Sequence, residues 1–418
     1  MTGGDRFPTA SDCSRKKILN INNNNKKVLY HLRTQGTGSE GIHIRGMVNA
    51  FRNLGLHVDF IWPLGDGDPT ERAGKSPYDR KKTKSAMEYV VPFIPGFVFA
   101  IMEFMYNFWA LRKFKSALKS ESYDFIYERH FFFSFASGLI SRKFNIPLVV
   151  EVNELAGFKR VRKNHLTSLA RRCEKSLFGN AALISVVSTF IRDTILERYP
   201  GIDPEKIVVI PNGVEKSMLS VNYSGDRIRE KYNTEDRIVF GFVGFLLHIS
   251  TWHSLEWFVP SFIRSARQYP DAVLMLVGGG PGRKNLEETG RRMDFDDRLI
   301  FTGNVPNNEI GHYLDAMDIG VVPHTNEYRS PIKMFEYMAL GKPVLAPDQE
   351  PVLSIIGDIQ KEYLFKAKSE ESLARAISFL IKDRHNWRNR GEKLRELIAE
   401  SYTYDRHGER ILNLLNLS

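Results

Sequence analysis

Short apolar runs alternate with amphipathic helical patterns along most of this 418-residue chain. In the first half the apolar runs predict strands at 28–31, 57–62, 123–127, 146–152, 182–187 and 207–210. In the second half they predict strands at 238–243, 272–277, 299–303, 318–322 and 344–346. Between these runs apolar residues recur at three- and four-residue spacing, which is typical of helices that bury one face. The alternation predicts an α/β fold with two doubly wound, Rossmann-like domains facing each other across a cleft.

The most informative stretch is a short helical pattern that ends at Gly341. Ser330 is a favoured N-cap residue, and Pro331 suits the first helical position, where no amide hydrogen bond is lost. Gly341 suits the left-handed residue that follows a helix. The sequence therefore predicts a helix that begins directly after Ser330 and is followed by a buried strand at 344–346.

The start of this helix has the features of an anion site. The amides of Ile332 and Lys333 would lie at the positive end of the helix, next to the Lys333 ammonium group. Glu336 follows Lys333 by three residues and lies on the same face, where its carboxylate can accept hydrogen bonds from ligand hydroxyls. A nucleotide needs both kinds of group. The alternative is an exposed helical ion pair, which contributes only ~0.2–0.5 kcal/mol.

The stretch reads SPIKMFEYMALGKPV from position 330 to position 344. It resembles the SPxKxFEYMAxGxPV signature in the nucleotide-sugar-binding domain of GT-B glycosyltransferases, in particular those of the large retaining family 4. The resemblance extends over residues 28–416. It implies that the turn from Ser330 to Ile332 and the helix amides hold the donor diphosphate, while Glu336 binds the nucleotide ribose. Arg329 and Lys333 are then the cations that neutralise the phosphates.

The resemblance also implies a division into domains. In GT-B proteins the last helix crosses back onto the first domain, so residues 26–213 and 402–418 are expected to form the N-terminal, acceptor-side domain. Residues 214–401 are expected to form the nucleotide-sugar-binding domain. A Pro-Asn-Gly turn at 211–213 supports this boundary. Residues 1–25 contain polar, glycine-rich and asparagine-rich stretches, which favours a flexible tail.

Glycines that follow two predicted strands are further candidate ligand contacts. Gly38 and Ser39 lie in the glycine-rich turn after the first strand. In family 4 enzymes the equivalent loop faces the donor phosphate and the acceptor, although glycines also serve tight turns that contact no ligand. Gly244 ends the first strand of the second domain, and Val305 lies in a turn that resembles the family element flanking the nucleobase.

Several positions depart from the family pattern. Family members often carry an arginine after the first glycine of the second domain and a lysine at the next helix, where this chain has Phe245 and His253. His253 is either a ligand contact or a surface histidine. Asn153 stands where the family usually has a histidine facing the donor sugar.

The usual family motif has two glutamates separated by seven residues. Counting back from the ribose glutamate gives Tyr328, so either Glu327 reaches the sugar or donor recognition differs.

Residues 93–111 are unusually aromatic, and basic residues follow up to position 119. Pro95, Glu103 and Asn107 interrupt the apolar run, which is short for a membrane-spanning helix. One interpretation of 93–119 is a helix that lies on a membrane surface near a lipid-linked acceptor. The alternative is a core helix of the first domain.

Composition narrows the range of partners. The chain has 59 lysine and arginine residues against 49 acidic ones, with a formal net charge of +10 and a pI near 9.3, which favours polyanionic partners. Zinc-finger spacing and RNA-binding aromatic signatures are absent from the sequence, so no nucleic acid partner is expected. Cys13 and Cys173 give no disulfide framework, and the first residues lack the apolar core of a signal peptide. We expect a cytoplasmic protein, with the inner face of the cell membrane as a further option.

Together these features predict a glycosyltransferase that moves a sugar from a UDP- or GDP-linked donor to a hydroxyl of a glycan or lipid-linked acceptor. The resemblance implies retention of anomeric configuration and no required metal or other cofactor. Lys333, Glu327 and Asn153 are the expected catalytic residues, with Lys333 stabilising charge on the departing diphosphate. The alternative is a catalytically silent GT-B protein that binds or assembles with an active transferase, because several of the usual phosphate-binding residues are replaced.

Overall fold

The computed structural model describes residues 26–34, 36, 38–63, 67–72, 94–158, 165–247 and 253–417. The predicted tail at 1–25 and the first residue of the aromatic segment, Phe93, lie outside the described residues. Two parallel sheets follow one another along the chain, each with six strands and with helices on its faces. This arrangement confirms the predicted α/β fold with two doubly wound units.

The first sheet has the strand order β2-β1-β3-β4-β5-β6. Its strands are β1 (Lys27–His31), β2 (His57–Ile61), β3 (Phe125–Arg129), β4 (Leu148–Val152), β5 (Leu183–Val186) and β6 (Ile207–Val209). Its helices are α1 (Gly38–Asn53), α2 (Gly96–Ser120), α3 (Ala136–Phe144), α4 (Thr167–Asn180) and α5 (Thr189–Arg198). The strand order reverses between β1 and β3, and such a switch point leaves a crevice at the carboxyl ends of the strands.

The second sheet has the strand order β12-β11-β10-β7-β8-β9. Its strands are β7 (Ile238–Val243), β8 (Ala272–Val277), β9 (Leu299–Gly303), β10 (Ile319–Val321), β11 (Val344–Pro347) and β12 (Leu364–Phe365). The helices after β6 are α6 (Ser217–Ser220), α7 (Asp226–Lys231), α8 (Leu255–Ala266), α9 (Arg283–Arg292), α10 (Ile310–Asp315), α11 (Ile332–Ala339), α12 (Glu350–Gln360), α13 (Glu370–Lys382), α14 (Trp387–Ser401) and α15 (Tyr404–Leu414). The order reverses between β7 and β10, which gives a second crevice.

The last helix, α15, returns to the first sheet. The Tyr404 ring packs so closely on Gly46 of α1 that any side chain at Gly46 would overlap the ring. Gly408 packs in the same way beside Leu54. The domain limits at 213 and 401 remain a prediction.

Two predicted strands begin two residues later than the sequence indicated. The third begins at Phe125 rather than at residue 123, and ahead of it the side chain of Asp124 accepts a hydrogen bond from the Lys27 amide. The fourth begins at Leu148, directly after Pro147, which has no amide hydrogen to donate. Among the described residues, no helix combines the length and the apolar character that crossing a membrane requires.

The short helix α11 is anchored to the second sheet through Tyr337. This side chain is fully buried, its hydroxyl accepts a hydrogen bond from the Val243 amide at 3.2 Å, and it donates to the Val321 carbonyl at 3.3 Å. The ring lies directly on Gly320 of β10, where a Cβ atom would overlap it. The glycine therefore sets how closely α11 approaches the sheet.

This packing predicts that Gly320→Ala destabilises the protein by about 1 to 3 kcal/mol, since the added methyl group must displace the Tyr337 ring. Gly357→Ala in α12 is the matched control, because its Cβ would lie 3.6 Å from the nearest atom, an ordinary contact. That change should be neutral or stabilising by about 0.5 to 1 kcal/mol. Equilibrium urea denaturation measures both. Equal free energies of unfolding for the two variants would contradict this account of α11.

Candidate functional site

A cavity of about 200 Å³ lies between the carboxyl ends of the two sheets. The first half of the chain contributes Asn153, Glu154, Val187 and Asn212 to its lining. The second half contributes Phe242, His253, Val322, Pro323, His324, Thr325, Asn326, Arg329, Ser330, Pro331, Ile332 and Lys333. Residues far apart in sequence therefore meet at the crevice that the strand order creates.

The start of α11 differs in one respect from the sequence prediction. The helix begins at Ile332 with Pro331 as the preceding cap residue, and Ser330 does not act as the N-cap. Its hydroxyl instead accepts a hydrogen bond from the Asn212 amide at 3.0 Å, and its carbonyl accepts one from Asn212 Nδ2 at 2.6 Å. The amides of Ile332 and Lys333 head the helix and have no acceptor within it. Gly341 has the predicted left-handed conformation, with φ of +68°.

The Lys333 ammonium lies against the end of β7. Its Nζ is 5.5 Å from the centre of the Phe242 ring, which gives a cation–π contact. The same ring meets the His253 ring edge-on, with centroids 5.2 Å apart. A Cβ at Gly244 would lie 2.8 Å from Lys333 Cε and 3.2 Å from Nζ. Gly244 therefore leaves the space that Lys333 occupies, and the structure brings three predicted site residues together.

Glu336 and Lys333 have shifted pKa values in opposite directions. Burial raises the pKa of Glu336 to about 7, although the positive charge of Lys333 opposes the rise. Burial likewise lowers the pKa of Lys333, and the negative charge of Glu336 opposes the fall. Both side chains are half-buried, which does not match the exposed helical ion pair that was the alternative interpretation. Desolvated groups of this kind are common where a protein binds a ligand.

Asn153 is held by a buried charged network at the end of β4. Its Nδ2 donates to Glu151 Oε1 at 2.6 Å, and Glu151 also accepts from the Tyr127 hydroxyl at 2.8 Å. Glu151 forms an ion pair with Arg129, and His43 Nε2 lies 2.9 Å from Glu151 Oε1. Burial opposes ionisation of Glu151, but these partners outweigh it and hold the pKa of the carboxyl well below its usual range. Asn153 thus presents a fixed amide to the cavity.

Glu327 does not reach the cavity. It is exposed and is not a lining residue, because Tyr328 beside it packs into the first half of the chain. The Tyr328 ring lies 4.5 Å from the Phe158 ring and 6.4 Å from the Phe190 ring, measured between centroids. The Tyr328 carbonyl also accepts a hydrogen bond from Ser188 Oγ at 3.2 Å. These contacts orient the loop so that Arg329 rather than Glu327 lines the cavity.

Six predicted site residues lie outside the lining of this cavity, namely Gly38, Ser39, Gly244, Val305, Glu327 and Glu336. Gly38 and Ser39 are the first residues of α1, at the carboxyl end of β1. Gly38 has φ of +63°, a conformation that favours glycine. Val305 follows β9 and packs, half-buried, against the apolar cluster of the second sheet.

The sequence interpretation missed several lining residues, among them Asn212 and His324. Asn212 was recognised only as part of a turn, although the Pro-Asn-Gly sequence marked its position. His324 follows β10 without any distinctive motif, so no local signal indicated it. Burial, Lys368 and Arg329 lower the pKa of His324. A neutral imidazole can both donate and accept a hydrogen bond in the cavity.

Two domain models match the chain in succession. The model for Glycosyltransferase Family 4 matches residues 41–217, and the model for Glycosyl transferases group 1 matches residues 237–383. With two parallel sheets that share one cavity, these matches define the class of protein as a GT-B glycosyltransferase. The chain belongs to the GT-B glycosyltransferases that combine a family 4 first domain with a group 1 second domain.

Similar proteins and solved structures agree with this assignment. The chain is 27% identical over 350 residues to a Bacillus subtilis (strain 168) protein provisionally named teichuronic acid biosynthesis glycosyltransferase TuaC, covering 81% of this chain and 84% of TuaC. It resembles the structure of Anabaena HepE in complex with UDP, with 15% identity and a TM-score of 0.68 over 94% of this chain and 100% of HepE. Sucrose-phosphate synthase from Thermosynechococcus elongatus gives 18% identity and a TM-score of 0.65 over 94% and 98% of the two chains. The structural likenesses show the fold.

The raised pKa of Glu336 predicts a pH dependence of stability. Its folded-state pKa of about 7 exceeds the ordinary value of 4.5, so the native protein loses stability as the pH rises through this interval. Glu336→Gln removes the titration. As the pH rises from about 5 to about 8, the free energy of unfolding of the variant should increase by about 1 to 3 kcal/mol relative to that of wild type.

Urea denaturation at the two pH values measures this change. Glu256→Gln, which alters an exposed acid on α8, is the control and should show no such gain. A difference between wild type and Glu336→Gln that is constant with pH would contradict a desolvated carboxyl at this position.

Proposed function

We propose that the protein transfers a sugar from a UDP- or GDP-linked donor to a hydroxyl of a glycan or lipid-linked glycan, with retention of anomeric configuration. The observation that carries the proposal is the start of α11 at the shared cavity. Two helix amides and an ammonium group meet there, and a desolvated carboxylate follows one turn later. A nucleoside diphosphate offers the complementary groups, namely phosphate oxygens and ribose hydroxyls.

In this proposal the diphosphate lies against the amides of Ile332 and Lys333 and the Lys333 ammonium. Arg329 adds a second cation, and its guanidinium also lies 3.6 Å from Glu154 of the first half of the chain. His253 replaces the usual lysine as a hydrogen-bond donor beside Phe242. The cations of the protein, rather than a bound metal, then neutralise the phosphates.

The reaction would exchange one bond at the anomeric carbon of the sugar. The acceptor oxygen attacks this carbon on the face from which the diphosphate leaves, so the carbon–oxygen bond to the phosphate breaks as the new glycosidic bond forms. The acceptor proton passes to an oxygen of the departing phosphate. Lys333 and the helix amides stabilise the charge that develops there, and because they are already in place they need no reorganisation during the step.

Asn153 is the proposed sugar-side contact, and Glu327 is a second candidate that depends on a change in its loop. Asn153 lines the cavity with a fixed amide and can donate to or accept from a sugar hydroxyl. Glu327 would reach the sugar only after the loop that Tyr328 anchors has turned. The alternative, that this enzyme recognises its donor without that carboxylate, is favoured by the packing of Tyr328 on Phe158.

Relatives supply the first candidates for donor and acceptor. The HepE structure contains UDP, which makes UDP the first nucleotide to test, with GDP beside it. The name of TuaC refers to synthesis of a cell-envelope polymer, teichuronic acid, which supports an acceptor in polysaccharide biosynthesis.

The proposal predicts that Lys333→Ala weakens UDP binding roughly 10- to 100-fold, because a charge-assisted hydrogen bond to the diphosphate is lost. Isothermal titration calorimetry measures the dissociation constant. Lys382→Ala is the matched control, since this lysine is exposed on α13 and does not line the cavity. Circular dichroism and thermal unfolding confirm that both variants fold. An unchanged affinity of Lys333→Ala for both UDP and GDP would overturn the site assignment.

A further inference from the structure

Helix α2 exposes its apolar side chains on the surface of the protein. Four of them recur at three- or four-residue spacing and so share one face, with exposed fractions of 54%, 47%, 53% and 44% for Phe97, Ile101, Met105 and Phe108. Met102 beside them is 41% exposed. Large apolar residues that cluster on a surface in this way mark an interaction site rather than chance exposure.

The polar residues of the same segment point the opposite way, into the protein. Glu103 is buried and forms an ion pair with Arg33 at 2.8 Å. Asn107 is fully buried, and its Oδ1 accepts hydrogen bonds from the amides of Phe135 and Ala136 at 2.9 and 3.0 Å. An ordinary surface helix buries its apolar face and exposes its polar one. In the first half of α2 the polar side chains are instead buried with their partners, and the large apolar side chains are exposed.

The exposed face continues as a basic stripe. At the same helical spacing, the face runs from Phe108 into Arg112, Lys115 and Lys119, all three of them exposed. We call the seven residues together the outer face of α2: Phe97, Ile101, Met105, Phe108, Arg112, Lys115 and Lys119. One side of α2 is core, as the alternative interpretation expected, whereas membrane contact of the exposed side stays a prediction.

We infer that the outer face of α2 binds the surface of a lipid bilayer that contains anionic lipid. Apolar side chains that enter the headgroup region, with lysine and arginine alongside for anionic headgroups, form the pattern of an interfacial helix. A second copy of the chain fits less well, because each copy carries a formal net charge of +10 and would bring its own basic stripe to the contact.

The apolar end of this face lies at the same sheet edge as the cavity. Arg33, which holds Glu103, follows the carboxyl end of β1, whereas Lys27 at the start of β1 pairs with Glu121 at the other end of α2. Asn153 and Asn212 bring the cavity to that same carboxyl edge. A bilayer on the outer face would therefore lie beside the cavity, and, if the proposed function holds, lipid-linked acceptors would reach the site from it.

Vesicle flotation of the full chain tests the inference. We expect the protein to float with vesicles of phosphatidylcholine and phosphatidylglycerol, to bind phosphatidylcholine alone much more weakly, and to dissociate as salt increases. The triple variant Ile101→Ser/Met105→Ser/Phe108→Ser should lose at least roughly tenfold in vesicle affinity. Phe379→Ser is the control, since this phenylalanine of α13 is 42% exposed but far from α2 in the fold.

A second variant tests the basic stripe. Arg112→Gln/Lys115→Gln/Lys119→Gln should lose most binding to the anionic vesicles, whereas Lys382→Gln/Arg388→Gln/Lys393→Gln, at exposed positions of α13 and α14, should lose little. UDP affinity should stay unchanged in every variant, so a failure of membrane binding is distinguishable from a failure of the nucleotide site. The inference would be overturned if wild type bound neither kind of vesicle, or if the serine triple variant bound the anionic vesicles as well as wild type does. A wild-type dimer that the serine substitutions dissociate would assign the face to a second copy instead.

Discussion

Two hydrogen bonds between Asn212 and Ser330 connect the end of the first sheet to the loop that enters α11. They fix the position of the helix start relative to both halves of the chain, and the amides of Ile332 and Lys333 therefore head the helix at the shared cavity. Behind the helix, the Tyr337 ring rests on Gly320 and its hydroxyl joins the ends of two neighbouring strands. The candidate site depends on this position, because the main groups proposed to bind phosphate are backbone amides.

The electrostatics of the site follow from the same arrangement. Helix α11 is packed closely enough to shield Lys333 and Glu336 from much of the solvent, which lowers the pKa of the lysine and raises the pKa of the glutamate. A bound diphosphate would favour the charged ammonium again. The site that lacks the usual arginine and lysine after β7 thus concentrates its charge at Lys333 and Arg329, with His253 and His324 as polar neighbours.

The sequence predicted those features that depend on local pattern. The apolar run at Ala272–Val277 predicted the strand β8 with the bounds that the structure has. Lys333 of the 330–344 motif and Gly244 at the end of β7 were both predicted as site residues, and the structure places them next to each other. In these cases a short segment carries the whole signal, as apolar periodicity or as a turn residue.

Features that depend on distant partners were missed. Ser330 could not be excluded as the N-cap without Asn212, which lies 118 residues away along the chain. The outward direction of Glu327 depends on Tyr328 packing against Phe158, a contact across the two halves. The apolar outer face of α2 likewise could not be separated from a core helix, because only the three-dimensional partners of Glu103 and Asn107 show which side of the helix is inside.

Donor turnover tests the central claim, that the start of α11 forms the donor site of an active transferase, most directly. The protein would be incubated with a panel of UDP- and GDP-sugars and a lipid or glycan extract, and nucleotide release and the anomeric form of the product would be measured. The account predicts acceptor-dependent release of UDP or GDP from at least one donor, with a product of retained configuration. Tight nucleotide binding without release from any donor would contradict it and would support a silent binding partner.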